Sequence, residues 1–335
     1  MRRATSPVLA VALVATLLAP IPLAAQGDGA AECCLLLLVP VGARASSMGG
    51  TITALQGPEV AFGNPAGLAG LEGSTFMVHH SDVNVETQVD AFSLVLTPFG
   101  ATVGVSYQLF DNGEVPTTDL QGQPIGELVF RDHLVMGSVA LSLPAGLAAG
   151  VSYRYFQQRI DCNGQCGSFE SMATASAFDA GIQYRPPWHP PLELGLAVVN
   201  AAGSLHTEGA GPTDPPDGAD ERASRLPSRL HLGVAYDVLA SVDPADLVAL
   251  WLTLDARDRL AEPGSPTVAV GLELDVQQSI YLRAGYAPGE GLGTGAAVGV
   301  ELKYDRFSVA VSRSFVNSQL GGDTEPFQVS FGLHF

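Results

Sequence analysis

The stretch Pro326-Phe327-Gln328-Val329-Ser330-Phe331-Gly332-Leu333-His334-Phe335 decides how the rest of the chain is read. Side chains of a β-strand alternate between its two faces. Phe327, Val329, Phe331, Leu333 and Phe335 therefore share one face, and Gln328, Ser330, Gly332 and His334 share the other. Five large apolar groups backed by small or polar ones suit a barrel wall between lipid and a polar lumen. Taken alone, the same alternation also fits one strand of a soluble sandwich.

Composition leans toward the barrel. The chain is 47% hydrophobic with a mean hydropathy of +0.24. Beyond the N-terminus no segment supplies the ~20 consecutive apolar residues a spanning helix needs. The best remaining run, Leu35-Leu36-Leu37-Leu38-Val39-Pro40-Val41, is far too short. Apolar residues spread at alternate positions are the composition of a membrane β-barrel, and a large soluble β-sandwich stays open as the alternative. The net charge of −18 argues against a nucleic-acid partner, because phosphate binding needs a basic surface.

Residues 1–25 read as a secretory signal peptide. Arg2 and Arg3 form its basic end, Val8 to Ala19 its apolar stretch, and Leu23-Ala24-Ala25 a small-residue cleavage site. An exported chain meets an oxidising compartment, so Cys162 and Cys166, in a tight loop, are candidates for a small disulfide. No histidine or second cysteine pair stands beside them at zinc spacing, so no metal site and no cofactor are expected. Cys33 and Cys34 follow Glu32 and so lie outside a lipoprotein cleavage motif.

From residue 74 onward about fourteen amphipathic strands can be laid down. Leu192, Leu194, Leu196 and Val198 alternate with Glu193, Gly195 and Ala197, and Val268, Val270, Leu272 and Leu274 with Ala269, Gly271 and Glu273. Outer-membrane barrels have short periplasmic turns and longer outer loops. Short turns are predicted near Phe99-Gly100, Pro144-Ala145-Gly146, residues 185–191, residues 239–246, Gln277-Gln278 and Asp305. Longer outer connections are predicted near residues 112–125, 160–170, 202–227, 258–265, 288–293 and 317–324, with a short one at 83–85. This parity puts Tyr184, Tyr236, Tyr304 and Phe335 on the lipid face at the short-turn end, as an aromatic girdle.

Residues 26–73 differ. Gly42 to Leu71 is rich in Gly and Ala and has no sustained period. Within it Asn64-Pro65-Ala66-Gly67-Leu68 reads as a capped helical turn, with Asn as N-cap and Pro at the first helical position. The expectation is a hatch that enters the barrel (residues 74–335) from the periplasmic side.

Gly42-Ala43-Arg44-Ala45-Ser46-Ser47-Met48-Gly49-Gly50 followed by Asn64-Pro65-Ala66-Gly67-Leu68 resembles the N-terminal signature of the PorV/PorQ family, which belongs with the FadL-type transporters. The likeness continues in Leu226-Pro227-Ser228-Arg229-Leu230-His231-Leu232-Gly233-Val234 and in Leu282-Arg283-Ala284-Gly285-Tyr286. The terminal Phe resembles the C-terminal signal of bacterial outer-membrane barrels. The resemblance implies a fourteen-stranded antiparallel barrel in the bacterial outer membrane with an N-terminal hatch. It also implies one of two roles. PorV-like proteins bind exported proteins in type IX secretion. FadL-like proteins carry long-chain fatty acids or other hydrophobic molecules through the barrel and sideways into the membrane.

Glu273, Arg283, Glu301 and Lys303 fall on the inward face of three neighbouring strands, as a structural network or a ligand-orienting constriction. The hatch is expected to offer ligand contacts through Ile52, Leu55 and Phe62, with Met48 and Val60 beside them. Otherwise the inward faces that can be read hold Gly, Ala, Ser, Gln, Glu and Arg, with few large apolar groups. A carrier of alkyl chains needs an apolar lining. The first expectation is therefore a barrel that engages exported proteins, and the second a passive transporter of hydrophobic molecules. No Gly-x-Ser-x-Gly motif surrounds a serine, and His79, His80, His133 and His231 read as strand residues, so catalysis is not expected.

Overall fold

The computed structural model describes residues 32–83, 87–165, 170–208, 224–240, 247–288, 294–318 and 322–335. The expected signal peptide and Cys166 lie outside the described residues. The strands are β1 (Thr75–Asp82), β2 (Gln88–Leu96), β3 (Ala101–Thr118), β4 (Pro124–Ser142), β5 (Leu147–Gly164), β6 (Glu170–Tyr184), β7 (Leu192–Ala201) and β8 (His206–Glu208). They continue as β9 (Arg229–Asp237), β10 (Val248–Arg259), β11 (Thr267–Val276), β12 (Ile280–Ala287), β13 (Thr294–Tyr304), β14 (Phe307–Ser318), β15 (Gly322–Thr324) and β16 (Phe327–His334).

Each strand pairs antiparallel with its neighbours, and β1 pairs with both β2 and β16, which closes the sheet. β8 continues the line of β7 beside β6, and β15 continues the line of β16 beside β14. The wall therefore counts fourteen strands. Along β16 the apolar row Phe327, Val329, Phe331 and Leu333 faces outward, while Gln328 and Ser330 are buried. Tyr236, Tyr304 and Phe335 are exposed at the short-turn end, joined there by Trp188.

The short turns fall where alternation places them, with left-handed residues at Gly100, Ala145, Gln277, Gln278 and Asp305. One outer connection differs. Residues 112–125 were expected as a loop, yet β3 and β4 run on through most of it and leave only 119–123 between them. A bulge between Asp111 and Glu114 absorbs Asn112-Gly113, so the ladder resumes beyond a turn-like pair. β3, β4 and β5 reach 18 or 19 residues, well past the ~9–11 that cross a bilayer.

The segment before β1 fills the lumen. The first described residues, Glu32 and Cys33, lie at the long-loop end, where the Cys33 N–H donates to the Arg225 carbonyl. The chain then descends to the short-turn end, where Ser74 pairs with Phe335. Asn64 caps the turn Pro65–Leu68 by accepting from the Ala66 N–H at 3.0 Å. Its amide donates to the Thr53 carbonyl at 2.7 Å.

Small inward residues of the wall make room for this segment. Gly150 pairs with Gly181, Gly195 with Gly233, and Gly271 with Gly285 across neighbouring strands. A Cβ at any of these six would run into the lumenal segment at Pro65, Asn64, Thr53, Ala54, Thr51 or Met48. Met48, Leu55, Val60 and Leu68 form its apolar core and pack against Val95, Ala140 and Ala148 of the wall.

Candidate functional site

Between the lumenal segment and the wall lies a cavity of about 400 Å³. Its apolar side is the strap Leu37–Val41 with Ile52, Phe62 and Val199. Its polar side carries Arg154, Arg229, His231 and Arg257. Above it an apolar cluster lies beside the buried polar residues Gln108 and Asp132. Phe110, Leu134, Met136 and Phe156 project inward from β3, β4 and β5 and are at most 1% exposed. This corrects the reading of a lumen with few large apolar groups. Those four residues keep the inward parity of their strands, near the segment that was read as loop.

The three arginines differ in what surrounds them. Arg154 holds Asp179 at 2.5 Å and the Phe62 carbonyl at 2.9 Å. Arg229 grips Glu32 through two hydrogen bonds of 2.7 and 2.9 Å. Among the described residues the Arg257 guanidinium makes one hydrogen bond, to the Gly49 carbonyl at 3.2 Å, and the nearest carboxylate oxygen, on Asp255, stands 3.9 Å away. Its Nε is buried without a partner among the described residues, and so is His231 Nε2. Arg257 and His231 sit directly opposite each other on β10 and β9. The cavity therefore has a guanidinium and an imidazole with spare hydrogen-bonding capacity on one side and hydrocarbon on the other.

The lumenal charge cluster forms, with different membership. Glu273 accepts from Arg283 at 2.5 Å, and Arg283 donates to Glu301 at 2.7 Å. Lys303 is half-buried and stands outside the ion-paired set. Its expected place is taken by Arg44 of the lumenal segment, which binds Glu273 and lies 3.7 Å from Glu59. The cluster fastens segment to wall; Glu59, at its edge, also lines the cavity, whereas Arg44, Glu273, Arg283 and Glu301 do not. Among the expected ligand contacts, Ile52 and Phe62 line the cavity, whereas Leu55 is 3% exposed in the core behind it. Gly49 and Gly50 line it too, and Asn64 to Leu68 lie below. Cys162 is disulfide-bonded.

No family model matches the chain, and no curated protein matches it. Solved structures do. The P. putida toluene transporter TodX superimposes with a TM-score of 0.60 at 12% identity over 88% of this chain and 98% of that one. The Ralstonia pickettii toluene transporter TbuX gives 0.57 at 12% identity over the same shares. A Pseudomonas aeruginosa FadL homologue gives 0.53 at 13% identity, covering 89% and 99%. At such identities the likeness is one of fold: a closed fourteen-stranded antiparallel barrel of the FadL type, resembling bacterial outer-membrane transporters.

Proposed function

We propose that this chain is an outer-membrane transporter for hydrophobic small molecules, which rest in the cavity beside the lumenal segment on their way inward. The observation that carries the reading is the cavity, roofed by that apolar cluster and walled by the strap Leu37–Val41 and Phe62. A concave apolar site with a few convergent polar groups is the usual form of a small-molecule pocket. The neighbours named above are described as toluene transporters and a FadL homologue, which agrees with this class of cargo. A long-chain fatty acid uses both sides of the cavity: its carboxylate meets Arg257 and His231, and its chain lies along the strap.

In this reading residues 1–25 direct export, residues 26–73 form the plug and residues 74–335 the barrel. Ile52 and Phe62 are ligand contacts, and Leu55 supports them from behind. The secretion role rested on a lumen poor in large apolar groups, and Phe110, Leu134, Met136 and Phe156 remove that ground.

The test is native mass spectrometry of the barrel purified in detergent, with extraction of whatever co-purifies. One hydrophobe per barrel, reduced by Phe62→Ala, is the expected result. A clean barrel that binds neither added oleate nor toluene overturns the reading, and an exported protein found in its place favours secretion.

A further inference from the structure

Where the sheet closes, on β14, β16 and β1, the inward residues are polar. Ser312, Gln328 and Ser81 stand side by side in one row, and Ser330 and His79 pair in the next row toward the short-turn end. Below them Ser308 leans over Gly332, where a Cβ would stand 2.4 Å from the serine hydroxyl oxygen. At the short-turn end His334 shares hydrogen bonds with Ser308 through Nε2 at 3.4 Å and with Thr75 through Nδ1 at 3.2 Å. His334 is partly exposed there, and the other side chains of the seam are buried.

Buried polar groups ordinarily have a hydrogen-bond partner, in the protein or in water. Four adjacent atoms of this seam, Ser312 Oγ, Gln328 Oε1, Ser81 Oγ and His79 Nε2, have none among the described residues. The other imidazole nitrogen of His79 is engaged by Ser330, whose hydroxyl oxygen also accepts from the Ala43 N–H, each at 2.8 Å. Gln328, Ser81 and His79 line one void of about 10 Å³ between the wall and residues 39–42. Such a void holds about one water, which needs two to four polar partners. Gln328 and Ser314 also line the large cavity, so the seam begins at that cavity and ends at His334.

We propose that this seam is a path for water between the cavity and the short-turn end, separate from the route of a hydrophobic molecule. Successive inward residues of a strand are about 7 Å apart. One water, bonded on both sides at about 2.8 Å, covers most of that step, and the reach of the side chains covers the rest. A bore one water wide passes water in single file. It rejects hydrated ions by size, and it rejects hydrocarbon because the lining groups would be left without partners. A hydrophobic molecule that enters the cavity must displace water from its polar side while closing the way behind itself. The seam lets that water leave ahead of it. This use as a drain rests on the transport reading, whereas the permeability to water does not.

The test is stopped-flow light scattering of phosphatidylcholine vesicles carrying the full chain, after an osmotic step in sucrose. The wild type is expected to shrink the vesicles faster than protein-free ones. Ser81→Leu and Gln328→Leu, checked for the heat-modifiable gel shift of a folded barrel, fill the path with hydrocarbon and are expected to return the rate to that of protein-free vesicles. Ser81→Leu is expected to bind oleate as the wild type does. His80→Leu, next along β1 on the outer face and 46% exposed, is expected to keep the wild-type rate. A wild type no faster than protein-free vesicles, or a Ser81→Leu barrel as fast as the wild type, overturns the proposal. Joint loss of water flow and oleate binding in Ser81→Leu also overturns it, because one route would then serve both. Water flow lost in both leucine variants of a barrel that binds neither oleate nor toluene upholds the path and overturns the transport reading alone.

Discussion

Arg44 and Glu273 meet through two parallel hydrogen bonds, Nε to Oε2 and Nη2 to Oε1, both 2.9 Å long. One residue belongs to the lumenal segment and the other to β11, so this fork ties the plug to the wall. Glu273 also holds Arg283, and all three side chains are shielded from solvent. Removing one partner of a buried pair leaves the other charge uncompensated, a loss of roughly 3–5 kcal/mol. Glu273→Gln is therefore expected to lower the urea midpoint in lipid vesicles and to open residues 43–62 to protease. Arg44→Lys is expected to rescue little, because an ammonium cannot reproduce the planar fork. An unchanged midpoint and an unchanged digestion pattern in Glu273→Gln would show that the fork holds nothing.

The glycine pairs predict a selective failure of the plug. A Cβ at Gly285 would stand 2.3 Å from the Met48 carbonyl carbon and 2.4 Å from the Gly49 nitrogen, far inside van der Waals contact, whereas one at Gly137 meets nothing within 4 Å. Valine at Gly285 leaves the strand able to pair, since β-branched residues favour strands, yet it takes the space of the lumenal segment. The expected outcome for Gly285→Val is a folded barrel with raised single-channel conductance in planar bilayers and faster uptake of a small hydrophilic dye. Gly137→Val is the matched control and is expected to change neither. Equal conductance in the two variants would mean that the segment tolerates the intrusion.

The wall predicts a difference between its two faces. Val300 on β13 is 41% exposed on the outer surface, and its neighbour Glu301 is buried inside. Arginine on the lipid face near the midplane costs about 2–4 kcal/mol. Val300→Arg is therefore expected to lower the denaturant midpoint in vesicles by that amount, with a much smaller effect in detergent, where the charge reaches water. A midpoint equally affected in both solvents would mean that Val300 does not face lipid.

Much of this architecture can be read from alternation because every wall strand has one lipid face. Leu192 to Val198 and Val268 to Leu274 declare their outward rows, and Gln277, Gln278 and Asp305 mark turns too short for anything but a hairpin. What stays hidden lies in the register between the lumenal segment and the wall. Arg44 and Glu273 are 229 residues apart, and no periodicity links a segment without a period to a strand. Lys303 shares the inward parity of Glu301 and looks like its partner, yet the competing cation comes from that unpatterned segment. The apolar cluster of the upper lumen was within reach. Phe110 continues the inward row of Ser106 and Gln108, and only the turn-like Asn112-Gly113 ends the strand early on paper. Arg257 and His231 were legible by the same rule, as inward positions on paired strands. That they share a cavity with Phe62 is information only the three-dimensional structure holds.

The cavity makes a prediction about selectivity that separates it from a plain hydrocarbon path. Arg257 has weaker carboxylate compensation than Arg154 or Arg229 and a buried Nε left over. A hydrogen bond to a charged group contributes about 1.5–3 kcal/mol, which corresponds to roughly 10- to 200-fold in affinity. Arg257→Met keeps the length and apolar stem of the side chain and removes the charge. It is expected to weaken oleate binding by that factor, measured by titration in detergent, and to leave toluene binding within about twofold. Arg154→Met makes the contrast, because its charge is committed to Asp179 and its loss is expected to act on stability first. Equal weakening of oleate and toluene by Arg257→Met would mean that the guanidinium shapes the cavity without recognising a head group. No weakening of either would move the polar end of the site to His231 or place the ligand elsewhere in the lumen.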